Sequence, residues 1–530
     1  MIHTKRTLGG ACVAPHHSAA QAGRDVLNEG GNAIEAMVAA AAAIAVVYPH
    51  MNALGGDGFW LIKPANGTPI AIDACGPAAQ AADIGFYTQD GETHIPSRGP
   101  RAALTVAGTI GGWQQALKVA HQLGGHMPVS RLLAPAEQHA RDGIVVSQSQ
   151  AALTRDKFDQ LAHQPGFAEV FLSNGQAPAE GSVLRQPDLA NTLAQLSRAG
   201  LDDFYRGDLA RTLAQGLESL GSPVRRGDLE GFRARLVEPL HTRLRGSTLY
   251  NLPPPTQGLA SLIILGLFDR LNVTKDESFD HLHGLIEATK AAFTVRDLDC
   301  IDPDWLTDSP QRWLTPEALD EQVKTLSMTR ARPWPNPTQP GDTVWLGCID
   351  KAGNAVSFIQ SVYWEFGSGV VVPGTGVTWQ NRGTSFSLDP ASRNALSPGR
   401  RPFHTLNPAL AEFDDGRTMV YGTMGGEGQP QTQAAIFSRY AMFGQSLQQA
   451  VTAPRWLLGR TWGDTDTRLK LENRFDPALV DQLRNAGHDV EVLDEAFSDT
   501  LGHAGALVHR PDDVIEGAAD PRADGLVATL

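Results

Sequence analysis

Pro340-Gly341-Asp342-Thr343-Val344-Trp345-Leu346-Gly347-Cys348-Ile349-Asp350 is the stretch whose reading decides the fold. A Pro-rich loop ends here and a β-rich run begins. The turn Lys351-Ala352-Gly353-Asn354 then leads into a second apolar run, Ala355 to Val362. Two such runs joined by a short Gly/Asn turn read as a hairpin. Thr343 opens it. Inside a chain a threonine is a poor nucleophile, because its hydroxyl has no base of its own. Cutting the peptide bond before it would put a free α-amine, with an ordinary pKa of roughly 7.7–8.0, on the same residue. That amine can accept the hydroxyl proton, the self-contained form of an activated nucleophile. The reading is of a precursor that divides between Asp342 and Thr343, giving a large subunit of residues 1–342 and a small subunit of residues 343–530.

Outward from the hairpin, the chain changes character. Residues 327–342 carry prolines at 333, 335, 337 and 340 with almost no apolar periodicity, and read as a linker. Before it lie mostly helical patterns, at about 18–29, 33–47, 110–122, 129–142, 187–199 and 209–220, then 259–271 and 279–293. After it come short β-like runs at 343–350, 355–362, 369–373, 408–413 and 418–423, with helices near 430–443 and 476–486. Helices and antiparallel strands in segregated runs predict an α+β arrangement of layers rather than alternating βαβ units.

Composition narrows the function classes. A chain of 530 residues, 42% hydrophobic, can bury a large core. A formal charge of −14 speaks against nucleic acid or an anionic membrane surface as partner. Cys12, Cys75, Cys300 and Cys348 are far apart and form no CxxC pair, so neither a disulfide framework nor a zinc ribbon is indicated. The first ten residues hold two basic side chains and no apolar stretch, which predicts a cytoplasmic address rather than secretion. The most apolar stretch, 33–48, contains Glu35 and is too short to span a bilayer, so it reads as a buried Ala-rich helix capped by Asn32. No His/Cys cluster has metal-ligand spacing, no cofactor motif is present, and the Gly-x-Ser-x-Gly elbow of serine hydrolases is absent.

Amide hydrolysis by an N-terminal threonine needs an oxyanion site and a group that grips the substrate. Thr423-Met424-Gly425-Gly426-Glu427-Gly428, directly after a strand-like run, offers successive backbone N–H groups at Gly425 and Gly426 that can turn toward one anion. His404 and Thr405, in Arg401-Pro402-Phe403-His404-Thr405, offer further polar contacts.

These pieces together resemble the γ-glutamyltransferase family of N-terminal-nucleophile hydrolases. The resemblance runs through Gly30-Gly31-Asn32-Ala33, Gly55-Gly56-Asp57-Gly58-Phe59, Gly108-Thr109-Ile110-Gly111-Gly112 and Pro253-Pro254-Pro255-Thr256-Gln257-Gly258. It continues in Asp350 to Val356, Phe366-Gly367-Ser368-Gly369, Gly425-Gly426, Ala453-Pro454-Arg455 and Asp520-Pro521-Arg522. It implies an αββα sandwich made as a self-cleaving precursor, with Thr343 as nucleophile, Gly425 and Gly426 as oxyanion glycines, and no cofactor. The implied partners are a small-molecule amide and the two chains of the same precursor, with a homo-oligomer left open.

Several positions depart from the transferase pattern. Asp73 stands where the family's carboxylate-binding arginine is expected. The residues that would grip a glutamyl group are replaced by Tyr363, Arg382 and Ser385, and a second threonine near the nucleophile by Ser361. The two-serine position is taken by His404 and Thr405. Losing an acid and gaining Arg382 favours a small anionic substrate without an ammonium group, and Tyr363 and Trp364 would shrink the cavity. With 46–52 (Val-Val-Tyr-Pro-His-Met-Asn), these traits resemble the oxamate amidohydrolase branch, which implies release of ammonia from oxamate to leave oxalate, in the breakdown of purine-derived nitrogen. The rival readings are a γ-glutamyl hydrolase or transferase, a β-lactam side-chain acylase, and an unprocessed binding scaffold.

Overall fold

Strand Asp342–Asp350 pairs antiparallel with Ala355–Tyr363, with Ile349 opposite Ala355 and Trp345 opposite Ile359, so the hairpin forms as read. Gly353, at φ +89, supplies the left-handed residue its turn requires. The computed structural model describes residues 2–334, 342–459 and 466–530, without the side chain of Asp342. The later half of the Pro-rich linker, 335–341, lies outside the described residues.

The hairpin sits at the centre of a seven-stranded antiparallel sheet. Gly10–Ala14 and Leu526–Thr529 lie on one side of it, and Asp57–Lys63, Ile70–Ala74 and Arg235–Val237 on the other. A second seven-stranded antiparallel sheet runs in the order 5–7, 515–519, 504–509, 418–423, 409–413, 247–251, 240–244. Both sheets therefore mix strands from before and after residue 342.

Alternation along the hairpin sets the layers. Trp345 and Ile349 join Phe59, Leu61, Val420 and Leu507 in the core between the sheets. Val344, Leu346 and Cys348 point the other way, into a core built on the buried helix Ala33–Val47. That helix carries the Asn32–Glu35 capping box and is buried along its whole length, as its all-round apolar pattern predicts. A third core packs helices Gly258–Arg270 and Phe279–Asp299 on the far face of the second sheet. The order is helices, sheet, sheet, helices. The Trp345 indole reaches across to the second sheet while donating to Ser357 Oγ on the neighbouring strand of its own sheet at 2.9 Å. It also fills the space that a side chain at Gly422 or Gly505 would occupy.

Some expectations change. The run 369–373 forms only a two-residue strand, Val371–Val372, paired with Val377–Thr378. Helix Gly428–Phe437 passes into a π-turn, Ser438–Met442. Helix Phe279–Asp299 runs six residues past its expected end. The cysteine reading needs correction: Cys12 and Cys348 form a disulfide between directly opposed residues of neighbouring strands. They are 336 residues apart in sequence, and only the pairing of the hairpin with Gly10–Ala14 brings them together. Cys75 and Cys300 are free and buried. No helix among the described residues is long and apolar enough to cross a membrane.

Candidate active site

Thr343 is fully buried at the head of the hairpin. Its odd position shares the face of Trp345, so its side chain lies between the sheets. The register shifts between Asp342 and Val344, from Asp342 opposite Tyr363 to Val344 opposite Gln360, which sets Thr343 against the pair Ser361 and Val362. Bulges of this kind re-aim a side chain and recur beside active sites. Gln429 Nε2 donates to Thr343 Oγ1 at 3.3 Å.

Gln429 is the second residue of helix Gly428–Phe437, whose N-terminus follows the glycine pair. Gly425 has φ +117 and Gly426 φ +53, conformations that side chains rarely adopt. Among the described residues, no acceptor takes the N–H of Gly425 or Gly426. Two free N–H groups just before a helix whose second residue, Gln429, reaches the threonine hydroxyl are of the kind that can stabilise developing negative charge.

Arg382 opens a short 3₁₀ turn, Arg382–Ser385, and is fully buried. Its guanidinium carbon lies 3.7 Å from the ring centroid of Tyr363, and Nη1 donates to Thr405 Oγ1 at 3.3 Å. Among the described residues, Nε and Nη2 have no partner. Burial lowers its pKa to about 10, which leaves it charged at neutral pH. A buried cation with two unused donors is costly unless an anion completes it.

A continuous set of hydrogen bonds joins this cation to the threonine. Arg382 reaches Thr405; the Thr405 carbonyl accepts from Asn407 Nδ2 at 2.9 Å; Asn407 Nδ2 also donates to Gln429 Oε1 at 3.1 Å; and Gln429 reaches Thr343. Gln257 Nε2 ties the same Thr405 carbonyl (2.8 Å) to the Gly426 carbonyl (2.7 Å). The amides of Gln257, Asn407 and Gln429 are the residues that sequence reading missed. Gln257 stands inside the proline–glycine motif Pro253–Gly258, and Gln429 directly follows the glycine motif Thr423–Gly428, where a polar side chain in a run bound for the core was the available signal.

His404 faces Asp57 rather than the threonine. Its Nε2–H donates to Asp57 Oδ2 at 3.1 Å, and its ring meets Phe59 edge-on. Asp57 Oδ1 accepts from the N–H groups of Gly76 and Gly108 and from Gln380, each at 3.0 Å. Burial and the Arg382 charge hold the imidazole well below its ordinary pKa, so His404 is neutral. Burial also raises Asp57 to about 7 against those donors. The ligand-type atoms of Asp57, Cys75 and His404 lie within 4.8 Å of one another. They do not suit a metal, because three N–H donors saturate one carboxylate oxygen and burial pushes the Cys75 thiol far up, keeping its proton.

The Asp57 pKa has a stability consequence with a definite sign. Between the ordinary value of 3.8 and about 7 the folded protein keeps a proton that the unfolded chain has lost. Stability from this group is therefore full below about 4, falls as pH rises, and levels off above about 7. The interval corresponds to roughly 4 kcal/mol. Thermal unfolding of Asp57→Asn across this range should lack that component. An identical pH slope in both proteins would refute the assignment.

Other expected residues are placed as follows. Ser361 Oγ accepts from the Tyr363 N–H at 2.7 Å, bracing a turn in which Tyr363 takes φ +85. Ser385 Oγ donates to the Phe403 carbonyl at 3.2 Å. Ser385 and Phe403 line a cavity of about 210 Å³ beside Tyr363, with Arg296 and Asn394 on its other walls. The Arg98 guanidinium carbon lies 5.6 Å from the ring centroid of Trp364. Asp73 pairs with Arg401 at 3.3 Å, and Asp302 holds that arginine at 2.7 Å, so Asp73 serves a buried ion-pair network.

Two seven-stranded antiparallel sheets face to face between helical layers, with a buried threonine leading a central strand, define an N-terminal-nucleophile hydrolase. The chain belongs to the γ-glutamyltranspeptidase family, whose sequence model (Gamma-glutamyltranspeptidase) matches residues 19–530. It is 56% identical over 520 residues to the oxamate amidohydrolase proenzyme of Klebsiella pneumoniae subsp. pneumoniae, covering 98% of each chain. It is 38% identical over 515 residues to the glutathione hydrolase-like YwrD proenzyme of Bacillus subtilis, covering 97% of each. Among solved structures, the cephalosporin acylase from Bacillus halodurans superposes with a TM-score of 0.92 at 31% identity, covering 100% of this chain and 97% of that one.

Proposed function

We propose that the chain cleaves itself between Asp342 and Thr343 and then hydrolyses a small amide bearing a carboxylate next to the scissile carbonyl, with oxamate as substrate. The observation that carries this reading is Arg382, a buried guanidinium with two unused N–H donors linked to Thr343 through Thr405, Asn407 and Gln429. The name and 56% identity of the Klebsiella relative support it.

In maturation, Thr343 Oγ1 attacks the Asp342 carbonyl carbon, the acyl group passes from nitrogen to oxygen, and water hydrolyses the ester. The α-amine of Thr343 is then free. In catalysis the substrate carboxylate docks on Arg382 Nε and Nη2, in charge-assisted contacts of about 2.7–2.9 Å. The Thr343 amine takes the hydroxyl proton and Oγ1 attacks the amide carbon. The oxyanion settles on the N–H groups of Gly425 and Gly426, each contributing ~3–4 kcal/mol to barrier lowering. The amide nitrogen takes the proton and leaves as ammonia. Water then attacks the oxalyl ester, releasing oxalate and restoring the threonine.

The test is ammonia release from oxamate set beside turnover of a γ-glutamyl anilide and of an acyl-side-chain cephalosporin. Oxamate is expected to exceed both in kcat/KM by at least ~10²-fold, the scale on which a site with unmet charge discriminates. Preference for either other substrate would overturn the reading. The Cys12–Cys348 disulfide adds a second check on the division, because it joins the segments on either side of residue 342. On a denaturing gel the mature protein should run as one linked species without reductant and as two chains with it. Cys12→Ser should give two chains in both lanes, and two free chains in the unreduced wild type would exclude the link.

A further inference from the structure

The segment that precedes the division point is gripped by its main chain. One face of helix Phe279–Asp299 carries His283, Glu287, Lys290 and Phe293, at the three- and four-residue spacings that align side chains. His283 Nε2–H donates to the Ser327 carbonyl at 2.8 Å. Glu287 Oε2 accepts the Arg332 N–H at 3.0 Å, and Lys290 Nζ donates to the Arg332 carbonyl at 2.6 Å. Phe293 packs on Trp334, with ring centroids 5.8 Å apart. From the other side, the Ala486 carbonyl accepts the Ala331 N–H at 2.7 Å.

His283, Glu287 and Lys290 are buried. His488 Nε2–H donates to His283 Nδ1 at 2.8 Å, leaving His283 Nε2–H for the Ser327 carbonyl. The ligand-type atoms of His283, Glu287 and His488 lie within 4.8 Å of one another, as a metal site would need. The Lys290 ammonium, 2.8 Å from Glu287 Oε1, opposes a cation there. The group is built to hold a peptide chain.

We propose that this face of the helix, with Lys290 and Trp334 at its centre, is an anchor that positions the precursor for self-cleavage. The inference rests on the division at Asp342–Thr343 proposed above. The anchor ends at Trp334, eight residues before Asp342, a span of at most about 29 Å. Loosening it lets the scissile bond leave its reactive placement, and since a misplacement of about 1 Å can cost ~10²-fold in rate, a loss of about threefold in maturation is a lower bound. None of the anchoring contacts involves Thr343, Arg382 or the glycine pair, so the mature reaction does not use them. Lys290 and Trp334 are positioning residues, not catalytic ones.

The experiment compares two rates in freshly made precursor: first-order appearance of two chains, and kcat and KM of the fully matured fraction. Lys290→Met and Trp334→Ala are each expected to slow maturation at least threefold while leaving kcat and KM within twofold of wild type. Lys290→Arg, which keeps a donor within reach of the Arg332 carbonyl, is expected to recover most of the rate. Trp334→Ala leaves the buried Lys290–Glu287 pair in place, so it reads the anchor even if Lys290→Met does not fold. Normal wild-type cleavage with Trp334→Ala maturing at the wild-type rate would overturn the anchor alone. So would a parallel fall in kcat, which marks general damage. A wild-type chain that stays whole yet hydrolyses substrate would overturn the cleavage reading as well.

Discussion

Thr343→Ala is expected to remain a single 530-residue chain and to lose amide hydrolysis by ~10⁶-fold, the scale of removing a hydrolase nucleophile. Both losses come from one atom, because the same Oγ1 would attack the Asp342 carbonyl in maturation and the substrate carbonyl in turnover. The fold itself should survive. Thr343 lies in a hairpin held on both sides by strands Gly10–Ala14 and Asp57–Lys63, and the hydrogen bond its hydroxyl accepts from Gln429 is a long one, at 3.3 Å. Thr343→Ser keeps the nucleophile and should mature and turn over, more slowly. Mass spectrometry of the purified proteins separates the cases. A Thr343→Ala protein that still yields two chains would refute the assignment, and so would one that retains activity as a whole chain.

Arg382→Met is expected to lower kcat/KM on oxamate by ~10²–10⁴-fold, corresponding to about 3–5 kcal/mol for removing one partner of a buried charge pair. The loss should be specific to the carboxylate. Turnover of a neutral amide of similar size should change little, because no step beyond docking needs the cation. Thermal stability should stay level or rise: the guanidinium is fully buried, its Nε and Nη2 have no partner among the described residues, and burial alone pulls its pKa down to about 10. Arg382→Lys keeps charge but loses the planar two-donor fork, and should recover only a fraction of the activity. An Arg382→Met enzyme with full oxamate turnover would place the carboxylate elsewhere. The opposite effects on activity and stability separate a binding cation from a structural one, since losing a structural ion pair would lower both.

The Asp57–His404 pair bears on the same charge balance. Asp57 titrates near 7 close to Arg382. Protonating it removes a negative charge that competes with the substrate for the guanidinium, so binding of a carboxylate should tighten as pH falls below about 7. The Thr343 amine moves the other way, since it must be neutral to accept a proton. The two demands point to an activity maximum between these titrations.

How far the chain alone could be read depends on the range over which each feature is determined. The hairpin, the buried helix 33–47 and the strand before Gly425-Gly426 were legible because alternation, capping and turn chemistry act within a few residues. Thr343 was legible for the same reason, standing where a Pro-rich run meets a strand. The glycine pair was legible because its conformations exclude other residues. The amides of Gln257, Asn407 and Gln429 were not, because a glutamine at the start of a helix looks the same whether it meets water or a threonine hydroxyl.

What the sequence by itself determined, then, is the layered α+β architecture and the position of the threonine at the head of the hairpin. What only the tertiary structure decided is how these meet. It turned Asp73 to Arg401 and Trp364 to Arg98, and it left Arg382 buried with two donors unused. It set His404 against Asp57 across 347 residues and joined Cys12 to Cys348 across 336. Such contacts depend on how strands from distant regions of the chain are ordered in the two sheets. That order is set by packing the whole core at once, and no local stretch of sequence contains it.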